Sequence, residues 1–160
     1  MQKIENRKLM NKLIERPKII ENVKAVNAHQ QLGKLLNILE IKELSADTVE
    51  LINQEIEQLN IITDDDKNLT RKIKAKENSI VKLVESKHKI VPKNYYKKLW
   101  MVLGMSAFGI PIGVAFGLSI GNLGMLGIGL PIGMGIGVAV GTSMDNRAFK
   151  EGRQLDFEVK

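Results

Sequence analysis

The stretch LGMSAFGIPIGVAFGLSIGN (residues 103–122) is followed directly by LGMLGIGLPIGMGIGVAVGT (residues 123–142). The second repeats the first: Leu103-Gly104-Met105 recurs as Leu123-Gly124-Met125, and Gly109-Ile110-Pro111-Ile112-Gly113 as Gly129-Leu130-Pro131-Ile132-Gly133. Gly117 and Gly121 recur as Gly137 and Gly141, so that close to half the aligned positions are identical. Around the repeat, residues 100–144 carry no charged side chain. A helix needs about 20 apolar residues to cross a bilayer, so this run is roughly twice the length of one crossing. Each repeat therefore predicts one membrane-spanning helix, at about 99–120 and 123–142, with Gly121-Asn122 at the turn.

Within each repeat the glycines fall every fourth residue: Gly109, Gly113, Gly117 and Gly121, then Gly129, Gly133, Gly137 and Gly141. Four residues is slightly more than one turn, so they form a ridge without side chains along which backbones can approach closely. A second ridge of small residues, Ala107, Pro111, Ala115 and Ser119, is matched one repeat later by Gly127, Pro131, Gly135 and Ala139. At about 100° per residue it lies opposite the first. The flanks between the ridges are large: Phe108, Ile112, Phe116 and Ile120 on one side, Ile110, Val114 and Leu118 on the other. One thin face serves the hairpin and the other is free for a neighbouring hairpin, or meets lipid. Pro111 and Pro131 each remove a backbone hydrogen bond and predict matched bends.

This pattern resembles glycine-zipper membrane proteins, in particular small bacterial two-helix ones, whose tail after the second span reads much like Met144-Asp145-Asn146-Arg147-Ala148 followed by Glu151-Gly152-Arg153. The resemblance covers about residues 100–155 and implies close helix packing, with no activity attached. It implies placement in a bacterial inner membrane.

The first span is anchored by Lys93, Tyr95, Tyr96, Lys97, Lys98 and Trp100, since Tyr and Trp favour the headgroup level and Lys snorkels to water. Arg147, Lys150 and Arg153 follow the second span, whereas the turn is uncharged. Positive charge stays inside, so both termini are expected in the cytoplasm. The N-terminus shows no secretory signal or lipidation motif, and cysteine is absent, which excludes disulfides and thiolate chemistry.

The net charge of +6 is unevenly spread. Residues 67–98 hold Lys67, Arg71, Lys72, Lys74, Lys76, Lys82, Lys87, Lys89, Lys93, Lys97 and Lys98 against only Glu77 and Glu85. Such a cluster beside a span is drawn to anionic lipid headgroups, by on the order of 1 kcal/mol per charge. Without interleaved aromatics, nucleic acid is not the expected partner.

Residues 1–92 read as a cytoplasmic helical region, 93–143 as the transmembrane hairpin and 144–160 as a short cytoplasmic tail. The fold class is all-α: a helical, bundle or coiled-coil-like region followed by a two-helix hairpin. No aromatic residue precedes Tyr95, so long helices rather than a rounded domain are expected. A short amphipathic stretch with Ile4, Leu9, Leu13 and Ile14 ends at Pro17. Residues 18–43 then place Ile19, Ile20, Val23, Val26, Leu32, Leu35, Leu36 and Leu39 on the apolar face. Ser45 is the expected N-cap of a helix striped by Val49, Ile52, Ile56 and Leu59. Asp64, Asp65 and Asp66 are expected to cap the next helix; they lack the ligand spacing of a calcium loop. That helix shows a seven-residue pattern of Leu69, Ile73, Ile80, Leu83 and Ile90, interrupted by Lys76 and Lys87. It fits a bundle closing on itself or an oligomeric stalk. His29 and His88 have no ligand partner at coordinating spacing and read as exposed helix residues.

No catalytic constellation, cofactor site or metal site is expected. The leading functional expectation is a non-enzymatic membrane anchor or scaffold that self-associates and displays its helical region to a protein partner or to anionic lipid. The alternative is a pore-forming or membrane-perturbing assembly. The spans hold no ionisable group, however, and offer only Ser106, Ser119 and, at the turn, Asn122 for polar rings.

Overall fold

The computed structural model describes residues 10–16, 19, 22–64, 67–122, 124 and 126–159. The fold is all-α. Its helices are α1 (Val23–Glu40), α2 (Ala46–Asn60), α3 (Leu69–His88), α4 (Tyr95–Gly104), α5 (Ile110–Ile120) and α6 (Leu126–Lys150), with a π-helical turn, Met105–Gly109, joining α4 to α5. Two compact units divide the chain, one up to residue 90 and the other Val91–Glu158.

In the first unit α1 and α2 both pack on α3. Helix α1 starts at Asn22, whose side chain accepts from the Ala25 N–H at 3.1 Å, satisfying one of the donors left free by the first turn. Its buried face is Ala25, Ala28, Leu32, Leu35, Leu36 and Leu39. The expected Val23 is instead exposed. The helical phase set by the leucines runs back through Ala28 and Ala25, so two small residues occupy the places assigned to larger ones. Helix α2 buries Val49, Ile52, Ile56 and Leu59 as expected.

Helix α3 departs from the heptad reading. Its buried residues are Leu69, Ile73, Glu77, Ile80, Val81 and Val84, while Leu83 and Ile90 are only half-buried. The helix is rotated so that Lys76 leaves the seam and reaches Glu55 and Gln58 on α2, each at 2.5 Å. A single chain thus closes its own bundle, without a strict coiled-coil seam. Glu77 takes the vacated core position.

Polar contacts correct several expectations. Ser45 stands at the N-cap position of α2, but its hydroxyl makes no cap bond to the backbone. It bonds Thr48 Oγ1 at 2.8 Å, and Thr48 in turn meets His88 Nε2 at 2.9 Å. His88 is therefore no free surface residue, since it ties the end of α3 to the start of α2. His29 Nε2 lies 3.0 Å from the Ile14 carbonyl. Asp64 does not cap α3: it pairs with Arg16 at 2.6 Å. Asp65 and Asp66 lie outside the described residues, as do Ile4, Leu9, Pro17 and Ile20.

Residues 10–16 run along α2 as a polar strap. The Asn11 N–H donates to Asn53 Oδ1 at 2.7 Å and the Ile14 N–H to Asn60 Oδ1 at 3.2 Å. Arg16, with its side chain only 4% exposed, donates to the carbonyls of Leu59 (2.6 Å) and Ile62 (2.7 Å). A buried guanidinium is stable here because it faces the negative end of α2 and the Asp64 carboxylate.

Burial raises the carboxyl pKa of Glu77, with Lys74 opposing in part. The folded chain then holds a proton that the unfolded chain releases. Its stability is greatest below the ordinary Glu pKa and declines as pH rises through the folded value. Glu77→Gln is expected to stabilise the protein at neutral pH by about 1–3 kcal/mol. It should also flatten this unit's stability profile above the ordinary Glu pKa. Thermal melts followed by circular dichroism check both effects.

Candidate functional site

The second unit is built on one antiparallel helix pair, α4–α5 against α6. The two helices run Tyr95–Ile120 and Gly127–Lys150, and both are long and apolar enough to cross a membrane. The second continues through Asp145, Arg147 and Lys150, beyond the expected end near residue 142. The chain then turns back, and the tail hydrogen-bonds to the segment that precedes α4. The Val91 N–H donates to Arg153 O (2.9 Å), the Leu155 N–H to Val91 O (2.8 Å) and the Lys93 N–H to Phe157 O (2.7 Å). Leu155 and Phe157 are buried beneath it. The tail is thus part of the hairpin unit.

Glycines form the contact between the helices. Gly104, Gly109, Gly113 and Gly117 are buried on one helix, and Gly129, Gly133, Gly137 and Gly141 on the other. A Cβ placed on Gly129 would lie 2.1 Å from Gly109 O, on Gly133 2.4 Å from Gly104 O, on Gly137 2.0 Å from Trp100 O and on Gly141 2.5 Å from Tyr96 O. These are backbone neighbours that cannot move aside as a side chain can. Any side chain here drives the helices apart.

Gly121 is a correction to the expected packing set. It is exposed, with nothing within 4 Å of an added Cβ and a φ of +68°. It ends α5 in the left-handed conformation, and the Asn122 N–H reaches back to Gly117 O at 3.0 Å, a closure that favours glycine. Gly104, five residues before Gly109, joins the seam instead. The π turn makes this possible: the Ile110 N–H bonds Met105 O, five residues back, and the extra residue returns Gly104 to the face of Gly109. The two prolines, expected to make matched bends, sit at unlike places in their helices. Pro111 sits in the first turn of α5, just after the π turn, whereas Pro131 lies inside α6.

The second small ridge is exposed at every position: Ala107, Pro111, Ala115, Ser119, Gly127, Pro131, Gly135 and Ala139. Cβ atoms on Gly127 or Gly135 would meet nothing within 4 Å. The flanking Phe108, Ile110, Phe116, Leu118, Ile120, Ile128 and Ile132 are exposed as well. Ser106 and Ser119 turn their hydroxyls inward, donating to Val102 O (3.2 Å) and Leu103 O (3.1 Å), and to Ala115 O (2.8 Å).

Asp145 is the functional residue that sequence reading passed over. It extends the four-residue series past Gly141, is 6% exposed, and accepts from the Tyr96 N–H at 3.1 Å and the Lys97 N–H at 2.9 Å. Asn94, in the N-cap position of α4 with φ 58°, provides no side-chain cap. A carboxylate from the other helix does so, complementing the positive end of α4. The spacing itself was the available signal: an acid one step beyond the last glycine must fall opposite the start of the partner helix.

Around this cap lie the expected interface residues. Tyr95 and Tyr96 are half-buried and meet edge to face, with ring centroids 5.2 Å apart, and Trp100 is half-buried beside them. Lys93 pairs with Asp156, Lys98 with Glu158 at 3.1 Å and Arg147 with Glu151 at 2.8 Å. Glu151 also takes Arg153. Its carboxyl is held below the ordinary Glu range by the hydrogen bonds from Arg147 and then Arg153. Lys97 makes no ion pair among the described residues. No cluster of three metal-ligating side chains occurs among them either.

Compared with known protein families, with curated proteins and with solved structures, this chain matches none.

Two substitutions test the seam. Gly133→Ala is expected to destabilise the hairpin by about 1–3 kcal/mol through overpacking, whereas Gly135→Ala, on the exposed ridge, leaves it unchanged. Asp145→Ala should cost about 1.5–3 kcal/mol, because two N–H groups lose a charged acceptor. Reversible unfolding in mixed detergent micelles measures all three.

Proposed function

We propose that the protein is a non-enzymatic membrane anchor that holds a small helical bundle at the cytoplasmic face of a bacterial inner membrane. The observation that carries this reading is how little of the apolar hairpin is covered. Only 22% of each apolar helical window is buried, whereas the core helix of a water-soluble protein is mostly buried. In water the exposed Phe, Ile, Leu and Val side chains would form a patch far larger than monomeric soluble proteins tolerate. In lipid they face their natural solvent. The Tyr-, Trp- and Lys-bearing end is then the interface belt, and the lysine-rich α3 the part attracted to anionic headgroups.

The uncovered second ridge supports lateral self-association of hairpins. Small residues let a second pair of backbones approach, and van der Waals packing drives association where no hydrophobic force acts between helices. A conducting assembly fits less well, because the hydroxyls of Ser106 and Ser119 are spent on their own helices. The resemblance to glycine-zipper hairpins agrees with the anchor reading. A concavity of about 410 Å³ between α2 and α3, edged by Gln54, Glu55, Gln58 and Lys82, supports the reading that the bundle seats a protein partner.

The absence of native cysteine allows a direct test. Asn122→Cys is expected to react with a membrane-impermeant maleimide in intact cells, and Lys82→Cys only after permeabilisation. Ala115→Cys should form inter-subunit disulfides in native membranes, and Phe116→Cys should not. Labelling of Lys82→Cys in intact cells would overturn the orientation, and failure of Ala115→Cys to crosslink would overturn self-association.

A further inference from the structure

At the Asp145 end of the hairpin, a polar cavity of about 230 Å³ opens between the two helices. Lys93, Asn94 and Lys97 line it from the α4 side, and Thr142, Asp145 and Asn146 from α6. Most charges around it are already matched. Asp145 is occupied by two backbone N–H groups of α4, and Lys93 is held by Asp156. The carboxamides of Asn94 and of Gln154, which also lines the cavity, donate to Glu158 (3.4 Å) and to Asp145 O (3.5 Å), which leaves three donors: the ammonium of Lys97, the hydroxyl of Thr142 and the carboxamide of Asn146. None has a side-chain hydrogen-bond partner among the described residues. Thr142 and Asn146 lie four residues apart on α6 and so project from one face. Opposite them stands Lys97, which makes no ion pair among the described residues.

We propose that this cavity binds a phosphate oxyanion through Lys97, Thr142 and Asn146. One cation with two neutral donors suits a tetrahedral group with several acceptor oxygens better than it suits a planar carboxylate or a cation. Asp145 does not repel the anion strongly, since its charge is answered by the amides and dipole of α4. Under the membrane reading, on which this step rests, the cavity lies level with Tyr95, Tyr96 and Trp100. That is the depth of phospholipid phosphates. The source is then a lipid headgroup, and one without its own ammonium, because Lys97 opposes a second cation. Phosphatidylglycerol meets both conditions, and phosphatidylcholine meets only the first.

The test uses the full-length protein in nanodiscs of phosphatidylcholine and phosphatidylglycerol, released for native mass spectrometry. Phosphatidylglycerol is expected to be retained in preference to phosphatidylcholine. Lys97→Gln should lower that retention by about tenfold or more, the loss of one charge-assisted hydrogen bond. Thr142→Val with Asn146→Leu, which leaves the charge intact, should lower it as well. Lys98→Gln, which removes a neighbouring lysine from outside the cavity, should leave it unchanged. Equal losses for Lys97→Gln and Lys98→Gln would mean diffuse attraction and overturn the site, as would no loss from either. A parallel arm titrates inorganic phosphate onto the delipidated protein in detergent. Phosphate binding that depends on Lys97, with no lipid retained, would keep the site and assign it a soluble ligand. A chain that fails to enter nanodiscs defeats the membrane reading, and the inorganic phosphate arm then decides the site alone.

Discussion

The hairpin depends on direct contact between two peptide backbones. At Gly129, Gly133, Gly137 and Gly141 the facing helix comes so close that a single methyl group has no space. Such proximity maximises dispersion contacts between main chains and leaves every large side chain on the outside. The remaining features of the unit follow from keeping this approach intact. The π turn returns Gly104 to the seam, Gly121 closes the helix with a left-handed residue, and Asp145 satisfies the donors that open α4.

The two units rest on different physics. The bundle of α1, α2 and α3 buries branched aliphatic side chains against one another and fastens its ends with polar contacts, through Arg16 at the end of α2 and His88 at its start. It carries one mismatch, the buried carboxyl of Glu77. The hairpin buries almost no large side chain and derives its order from the absence of side chains. Both follow from the composition: the first half is rich in Leu and Ile with a single glycine, and the second concentrates glycine at a fixed interval.

The all-α class and the glycine seam could be read from the sequence because each is a matter of spacing. A four-residue interval of glycines needs no knowledge of partners to predict a face without side chains. The errors arose where phase, not spacing, decides. Val23 looked like core by chemistry, but the leucines fixed a phase that buried Ala25 and Ala28 instead. In α3 a heptad and a 3.6-residue period differ by only about 0.2 residue over two turns, so spacing alone did not decide between Lys76 and Glu77, and packing buried Glu77. The π turn was not legible, since its signal is only that Gly104 precedes Gly109 by five residues instead of four. The cavity at the polar end also escaped, because it joins Lys97 to Asn146 across 49 positions, a pairing that only the antiparallel geometry creates.

A seam made of identical units has no intrinsic alignment. If α6 slid by four residues, about 6 Å along its axis, glycine would again face glycine, with nearly the same dispersion energy. Asp145 makes one alignment unlike the others, because only there does the carboxylate accept from the N–H groups of Tyr96 and Lys97. The tail adds a second constraint, with its backbone bonded to Val91 and Lys93. The glycine contacts thus work like the teeth of a rack, which hold wherever they engage. The charged end is the stop that selects the tooth, and it fixes how far each helix end stands from the turn.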